Sequence, residues 1–275
     1  MQKPFFSIII VSLNAGEEVK KTLESVLTQT CLDYEVIIKD GESQDGSLNF
    51  IKENAEQYQR VKIYIKKDKS IYDAMNQALE YVQGSYLLFL NCGDYLYESK
   101  VLEQVKKEIQ GAKIKEGIST VFYGDLYNRK QEAAVASSPS VTDFTLYRNV
   151  PCHQVCFYHN SLFKERGYKP DYRVRADYEH FLYCIKEKKA AAIAMKITVA
   201  SYEGGGYSET KENRKISAKE HKEITQIYLG EKKCRKYRTL LLLTLAPIRS
   251  RIAENPKLSA GYNYGKSLIY KIIKK

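Results

Sequence analysis

From residue 5 to about residue 125 the chain alternates short, densely apolar runs with stretches whose apolar residues recur on one helical face, and no other feature limits its fold so tightly. Phe5 to Leu13 is dominated by Phe, Ile, Val and Leu at consecutive positions. A strand apolar on both faces must be covered on both, as a central parallel strand is. Val19, Leu23, Val26 and Leu27 follow at i, i+4, i+7 and i+8, which is one face of an α-helix. The beat repeats as strand Tyr34 to Lys39, helix Ser47 to about Tyr58, strand Val61 to Ile65, helix Ile71 to Val82, strand Ser85 to Leu90, helix Ser99 to Ile109 and strand Thr120 to Tyr123. This alternation predicts an α/β fold with a doubly wound, mainly parallel sheet. The signal weakens from Asn128 to Asn149, where Ser137-Ser138-Pro139-Ser140 marks a loop. A second block then brings strand Val155 to Tyr158, helix Asp177 to Lys188 and strand Ala191 to Ser201.

Open α/β sheets bind ligands beyond the carboxyl ends of their strands, so the residues that follow each apolar run are the ones to read for function. Asn14 follows the first strand, and Asp40-Gly41-Glu42-Ser43-Gln44-Asp45-Gly46 follows the second. Asp68-Lys69 opens the helix that carries Asp73 and Asn76, and Asn91-Cys92-Gly93-Asp94 follows the run Tyr86-Leu87-Leu88-Phe89-Leu90. Two strand ends thus offer carboxylates to one crevice. A dinucleotide fold would need Gly-x-Gly-x-x-Gly after its first strand, whereas Ser12-Leu13-Asn14-Ala15-Gly16-Glu17 stands there. Gly265-Lys266-Ser267 looks like the end of a phosphate loop, but Ala260 occupies the position of its first glycine. Cys152-His153 with Cys156 has no second pair at zinc-finger spacing.

In order and spacing these stretches resemble the family 2 glycosyltransferases of the GT-A fold, over roughly Phe5 to Ser208. The resemblance implies transfer of a sugar from a nucleotide diphosphate to an acceptor hydroxyl. It assigns Asn14, with Glu17 close behind it, to the nucleotide pocket, and Asp40 to the uracil imide, whose N–H an ionised carboxylate accepts well. Asp68, Lys69, Asp73 and Asn76 fall where a lysine and a helix N-terminus face the diphosphate. Asn91 and Asp94 stand at the Asp-x-Asp metal motif, with Gly93 in the other acid position, so Asp94 alone keeps a carboxylate for Mn²⁺ or Mg²⁺. Within Arg175-Ala176-Asp177-Tyr178-Glu179, Asp177 matches the catalytic base and Glu179 is its alternative. His153, in Cys152-His153-Gln154, matches a histidine ahead of the acceptor strand. Gly204-Gly205-Gly206-Tyr207-Ser208 matches a glycine-rich loop that closes over the donor. Arginines common in the family are replaced by Met75 and Tyr183.

Charge divides the chain. Residues 231–275 carry 12 Lys and Arg against two acids, a net +10 of the whole chain's +11. A nearly neutral body with a basic appendage speaks against a nucleic-acid binder. The expected organisation is a GT-A domain over 1–230, divided into a nucleotide-sugar half (1–125) and an acceptor half (126–230), then a basic amphipathic tail over 231–275. Leu240-Leu241-Leu242-Leu243-Thr244-Leu245-Ala246-Pro247-Ile248 is shorter than the ~20 residues of a membrane span and suits a helix lying on an anionic membrane surface. Six scattered cysteines and no signal peptide ahead of the first strand predict a cytoplasmic enzyme, peripheral at the inner face of the membrane. The expected activity is inverting transfer from a UDP-sugar to a lipid-linked glycan in surface polysaccharide biosynthesis. The alternatives are a nucleotidyltransferase, for which no basic triphosphate loop lies between Asn14 and Val19, and a non-catalytic nucleotide-sugar binder.

Overall fold

The computed structural model describes residues 3–204 and 210–243, with Ile252, Asn255, Leu258, Gly261, Tyr262, Tyr264, Gly265 and Ser267. In chain order the strands are β1 (Phe6–Ser12), β2 (Tyr34–Asp40), β3 (Val61–Ile65), β4 (Tyr86–Asn91), β5 (Tyr95–Leu96), β6 (Thr120–Asn128), β7 (Ala133–Val135), β8 (Cys156–His159) and β9 (Ala191–Tyr202). The helices are α1 (Glu18–Leu27), α2 (Ser47–Gln57), α3 (Ile71–Leu79), α4 (Val101–Gly111), α5 (Asp143–Arg148), α6 (Ala176–Lys186), α7 (Lys211–Leu229) and α8 (Glu231–Leu243).

The strands form one sheet in the order β3-β2-β1-β4-β8-β6-β9-β5, with β7 paired to β6. The first four are mutually parallel, and β8 runs antiparallel to both β4 and β6. The register sets Ser12 beside Asp40 and Val11 beside Asn91, so β1, β2 and β4 end within one residue of one another at one edge. Alternate residues of β1 serve opposite faces: Phe6, Ile8 and Ile10 pack with Val19, Leu23 and Val26 of α1, whereas Ile9 packs with Tyr72, Met75 and Ala78 of α3 and with Phe181 and Leu182 of α6. Both faces are covered, which is the physical reason for the uninterrupted apolar run.

The short strands β5 and β7 have no counterpart in the sequence expectation, and three further elements depart from it. β6 continues to Asn128 instead of stopping at Tyr123, through a register shift at Gly124, where a Cβ would lie 2.4 Å from the Ile197 carbonyl oxygen. α5 fills the segment that read as weak. α7 was not foreseen: Thr210 caps it by accepting the Asn213 N–H, but its buried residues are Asn213, Glu220, Ile224, Thr225 and Leu229, so polar side chains interrupt the apolar period.

The basic tail does not begin as a free appendage. Lys233 pairs with Asp143 of α5 at 2.6 Å, and the Tyr237 ring lies 5.5 Å from Phe144 and 5.7 Å from Tyr147. One turn further on, Leu240, Leu242 and Leu243 are exposed. The rest of the expected amphipathic run, Thr244 to Ile248 with Arg249 and Arg251, lies outside the described residues, as do Gly205 to Ser208 of the glycine-rich loop. No described helix is long and apolar enough to cross a membrane.

His180 of α6 is fully buried, stacked on Phe163 with ring centroids 4.1 Å apart, and burial pulls its pKa down to about 3. In the unfolded chain the same imidazole titrates near ~6.5. Between these values the unfolded state holds the extra proton, so stability must fall as pH drops from about 6.5 toward 3. Chemical denaturation of His180→Phe across pH 7 to 4 is expected to show a shallower loss of stability than wild type.

Candidate active site

The loops after β1 and β2 are stitched together before any ligand is considered. Asn14 sits at φ 49°, the left-handed region that asparagine tolerates, and from there its amide oxygen accepts the Gln44 N–H at 2.9 Å while its own N–H donates to Ser43 Oγ at 2.8 Å. Asp40 ends β2 fully buried, with Oδ1 accepting the Ser43 N–H and Oδ2 the Ser43 hydroxyl, each at 2.7 Å. An ionised carboxylate has about four acceptor positions, so about two remain. Lys39, one residue earlier, is buried in an ion pair with Asp68. Gly41 lies against that pair, where a Cβ would come within 2.7 Å of Asp68 Oδ2 and 3.1 Å of Leu13 Cδ1. Leu13 itself is exposed.

Several sequence-expected residues are engaged elsewhere. Glu17 is turned to solvent onto Lys20. Asp73 accepts the Lys69 N–H at 2.8 Å and the Gln77 amide at 3.1 Å, so its carboxylate closes the N-terminus of its own helix; the Lys69 side chain is exposed. Asn76 is a clamp between the two halves: its amide donates to the Tyr168 carbonyl and accepts the Tyr168 N–H, both at 2.8 Å. Glu179, the alternative base, is fully buried between Arg166 (2.9 and 3.0 Å), Lys169 (3.1 Å) and the Tyr228 hydroxyl. Its carboxylate is thus occupied by two part-exposed cations and a hydroxyl, and none of these contacts is to Asp177.

At the end of β4 the chain turns through Asn91-Cys92-Gly93-Asp94, with the Asp94 N–H donating to the Asn91 carbonyl at 3.1 Å. Gly93 takes φ 90°, a backbone conformation that an L side chain adopts only with strain, and a Cβ there would sit 2.9 Å from Glu18 Oε2. Arg129, the residue after β6, braces this turn, donating to the Gly93 carbonyl at 2.7 Å and lying over the Tyr95 ring. Asp94 is buried, which pushes its carboxyl up to about 6 against the opposing pull of the Glu203 N–H, Arg129 and Gln154. Oδ1 accepts the Glu203 N–H at 3.3 Å and Oδ2 the Gln154 amide. No group of three or more His, Cys, Asp or Glu able to hold a metal occurs among the described residues. The oxygens present, one carboxylate and the Asn91 amide, fit a hard cation whose shell is completed by phosphate and water oxygens.

Asp177 enters the crevice from the first turn of α6. Its Oδ1 lies 2.8 Å from the Tyr72 hydroxyl and its Oδ2 3.1 Å from His153 Nδ1, while His153 Nε2 lies 3.4 Å from Asn91 Oδ1. Burial would raise its pKa, but His153, the Tyr72 hydroxyl and the Tyr178 N–H together outweigh that and hold it below the ordinary carboxylate value. A quarter of its side-chain surface stays accessible. The structure therefore gathers Asn91, Asp94, His153 and Asp177, and adds Tyr72, Gln154 and Arg129. Tyr72 and Gln154 stand next to motif residues in sequence; Arg129 carried no sequence signal.

A family model described as glycosyl transferase family 2 matches residues 7–163, and the chain belongs to this family. It is a glycosyltransferase. A PGL/p-HBAD biosynthesis glycosyltransferase of Mycobacterium bovis (strain BCG / Pasteur 1173P2) is 35% identical over 213 residues, 76% of this chain and 81% of that protein. The putative teichuronic acid biosynthesis glycosyltransferase TuaG of Bacillus subtilis is 32% identical over 105 residues, covering 38% of this chain and 42% of TuaG. Among solved structures, S. aureus TarS 1-349 in complex with UDP superposes with a TM-score of 0.63 at 16% identity over 81% of this chain; the chain spans 64% of that structure. The mannosyltransferase PcManGT from Pyrobaculum calidifontis, in complex with GDP-Man and Mn²⁺, gives 0.60 at 12% identity over 100% of this chain and 89% of the other. At such identities the likeness establishes the shared GT-A fold.

Proposed function

We propose that this glycosyltransferase takes a UDP-sugar as donor and inverts its anomeric centre in a single displacement, in the biosynthesis of a surface polysaccharide or glycolipid. One observation carries the reading: Asp177, ionised and part exposed, is tied through His153 to Asn91 in the turn that bears Asp94. Asp177 accepts the proton of the acceptor hydroxyl as that oxygen attacks. Tyr72 and His153 keep its lone pairs directed and its charge in place until the proton arrives. Asp40 and the exposed Leu13 receive the uracil, with Asn14 holding the loop between them. A bound Mn²⁺ or Mg²⁺, held by Asp94 and Asn91, supplies neutralisation of the charge that grows on the leaving diphosphate. Solved relatives in complex with UDP and with GDP-Man and Mn²⁺ support both components of this donor site.

Isothermal titration of UDP, GDP and CMP with and without Mn²⁺, joined to turnover of Asp177→Asn, tests the reading. UDP should bind most tightly and only fully with Mn²⁺. The variant should keep that binding and lose about 10²–10⁴ in kcat, the usual size of general-base catalysis. Equal binding of the three nucleotides, or near-normal kcat, contradicts it.

The acceptor is read as a lipid-linked glycan at an anionic membrane, with a cytoplasmic, peripheral location. Support comes from α8, which presents exposed Leu240, Leu242 and Leu243 beside Lys232, Lys236 and Arg238, and from a relative named for PGL/p-HBAD biosynthesis. The seat of α8 is α5, whose Leu146 carbonyl accepts the hydroxyl of Tyr178, the residue after Asp177 in sequence, at 2.5 Å. Basic residues near such a surface contribute about 1 kcal/mol each. The full chain should co-sediment with phosphatidylglycerol vesicles at low salt. Replacing Leu240, Leu242 and Leu243 with Ser should weaken this without lowering the melting temperature, because the three are exposed. A full chain that ignores the vesicles removes the membrane reading.

A further inference from the structure

Two consecutive side chains on one turn reach the two carboxylates of the crevice. The turn His153–Val155 leads into β8 and is closed by the Val155 N–H donating to the Cys152 carbonyl at 3.0 Å, with Gln154 and Val155 buried beneath it. From it His153 reaches Asp177 on one side, and Gln154 reaches Asp94 on the other. The orientation of the Gln154 amide is fixed from behind. Cys152 Sγ lies 2.8 Å from Gln154 Oε1, and burial pushes that thiol up to about 12, so it carries its proton and donates to the amide oxygen. The amide nitrogen is thereby directed at Asp94. With Oδ1 already on the Glu203 N–H, the Asp94 carboxylate is pinned at both oxygens while acceptor positions remain for a cation.

From the same turn His153 Nε2 lies 3.4 Å from Asn91 Oδ1, a longer contact than the one it makes to Asp177.

We propose that Cys152, His153 and Gln154 form one positioning device, in which Gln154 orients Asp94 toward the cation and donor diphosphate while His153 orients Asp177 toward the acceptor. One closed turn then sets the separation between the two halves of the reaction. The proposal rests on the roles given to Asp94 and Asp177 above, and it assigns Gln154 and Cys152 work that a filler of buried space would not do.

Calorimetric titration of Mn²⁺ into the UDP-saturated protein, alongside steady-state kinetics, tests it. Gln154→Leu keeps the volume and removes the N–H. It should weaken Mn²⁺ binding by about 10–100-fold, the range for partners that orient metal-binding side chains, and leave metal-free UDP binding unchanged. His153→Asn should do the reverse, losing kcat while Mn²⁺ and UDP bind as in wild type. Cys152→Ala frees the Gln154 amide to turn and should reproduce part of the Gln154→Leu loss; it also decides the matter if Gln154→Leu does not fold. Wild-type Mn²⁺ affinity in both Cys152→Ala and a folded Gln154→Leu overturns the device alone, whatever their melting temperatures. A wild-type protein whose UDP binding ignores Mn²⁺ overturns the role of Asp94, and the device with it.

Discussion

The hydrogen bonds that hold Asp177 between Tyr72 and His153 are the interaction on which the site depends, because they join a carboxylate on α6 to α3 and to the turn ahead of β8. Burial works against an ionised carboxylate, and His153, the Tyr72 hydroxyl and the Tyr178 N–H together reverse the balance. The same seam is closed elsewhere. Tyr72 lies 2.8 Å from the Val174 carbonyl, and Asn76 holds both backbone polar groups of Tyr168. Glu220 of α7 accepts the N–H groups of Arg173, Val174 and Arg175 at 2.7, 3.1 and 2.9 Å. Asp177 therefore stands on a segment that is pinned along its backbone, and a base so pinned loses little freedom when the acceptor arrives.

The donor side obeys a different constraint, the nearly level ends of three parallel strands. Because Ser12 and Asp40 pair and Asn91 lies one residue short of them beside Val11, the loops that follow must turn within a narrow space, and glycine occurs where a side chain would not fit. Gly41 leaves room for the Lys39–Asp68 pair, and Gly93 lets the 91–94 turn close against Glu18. At Gly93 the φ of 90° is one that an aspartate could adopt only with strain.

The parallel core was legible because β1, β2 and β4 are covered on both faces and so write their burial directly into sequence. Asp177 and Asp94 were legible as motif residues. What their neighbours do was not. Asp73 and Asn76 share a helical face, yet one closes its own helix and the other clamps Tyr168, a difference set by a segment 92 residues away. Glu179 resembles a reactive acid in sequence, and only its packing against Arg166 and Lys169 gives it a structural role. α7 escaped notice because its buried face is built around Glu220, Asn213 and Thr225, and a helix whose contacts are polar leaves no apolar period. Gln154 was read only as the companion of His153; its bond to Asp94 spans 60 residues of chain.

The central claim is that acceptor base and donor carboxylate face one another across a single crevice and act in one displacement. Proton NMR of the glycoside formed from an α-linked UDP-sugar, recorded before the product can equilibrate, tests it directly through the coupling at the anomeric carbon. The account predicts a β-linked product. An α-linked product would require a second displacement or a different face of attack, and would contradict the placement of Asp177 as the base.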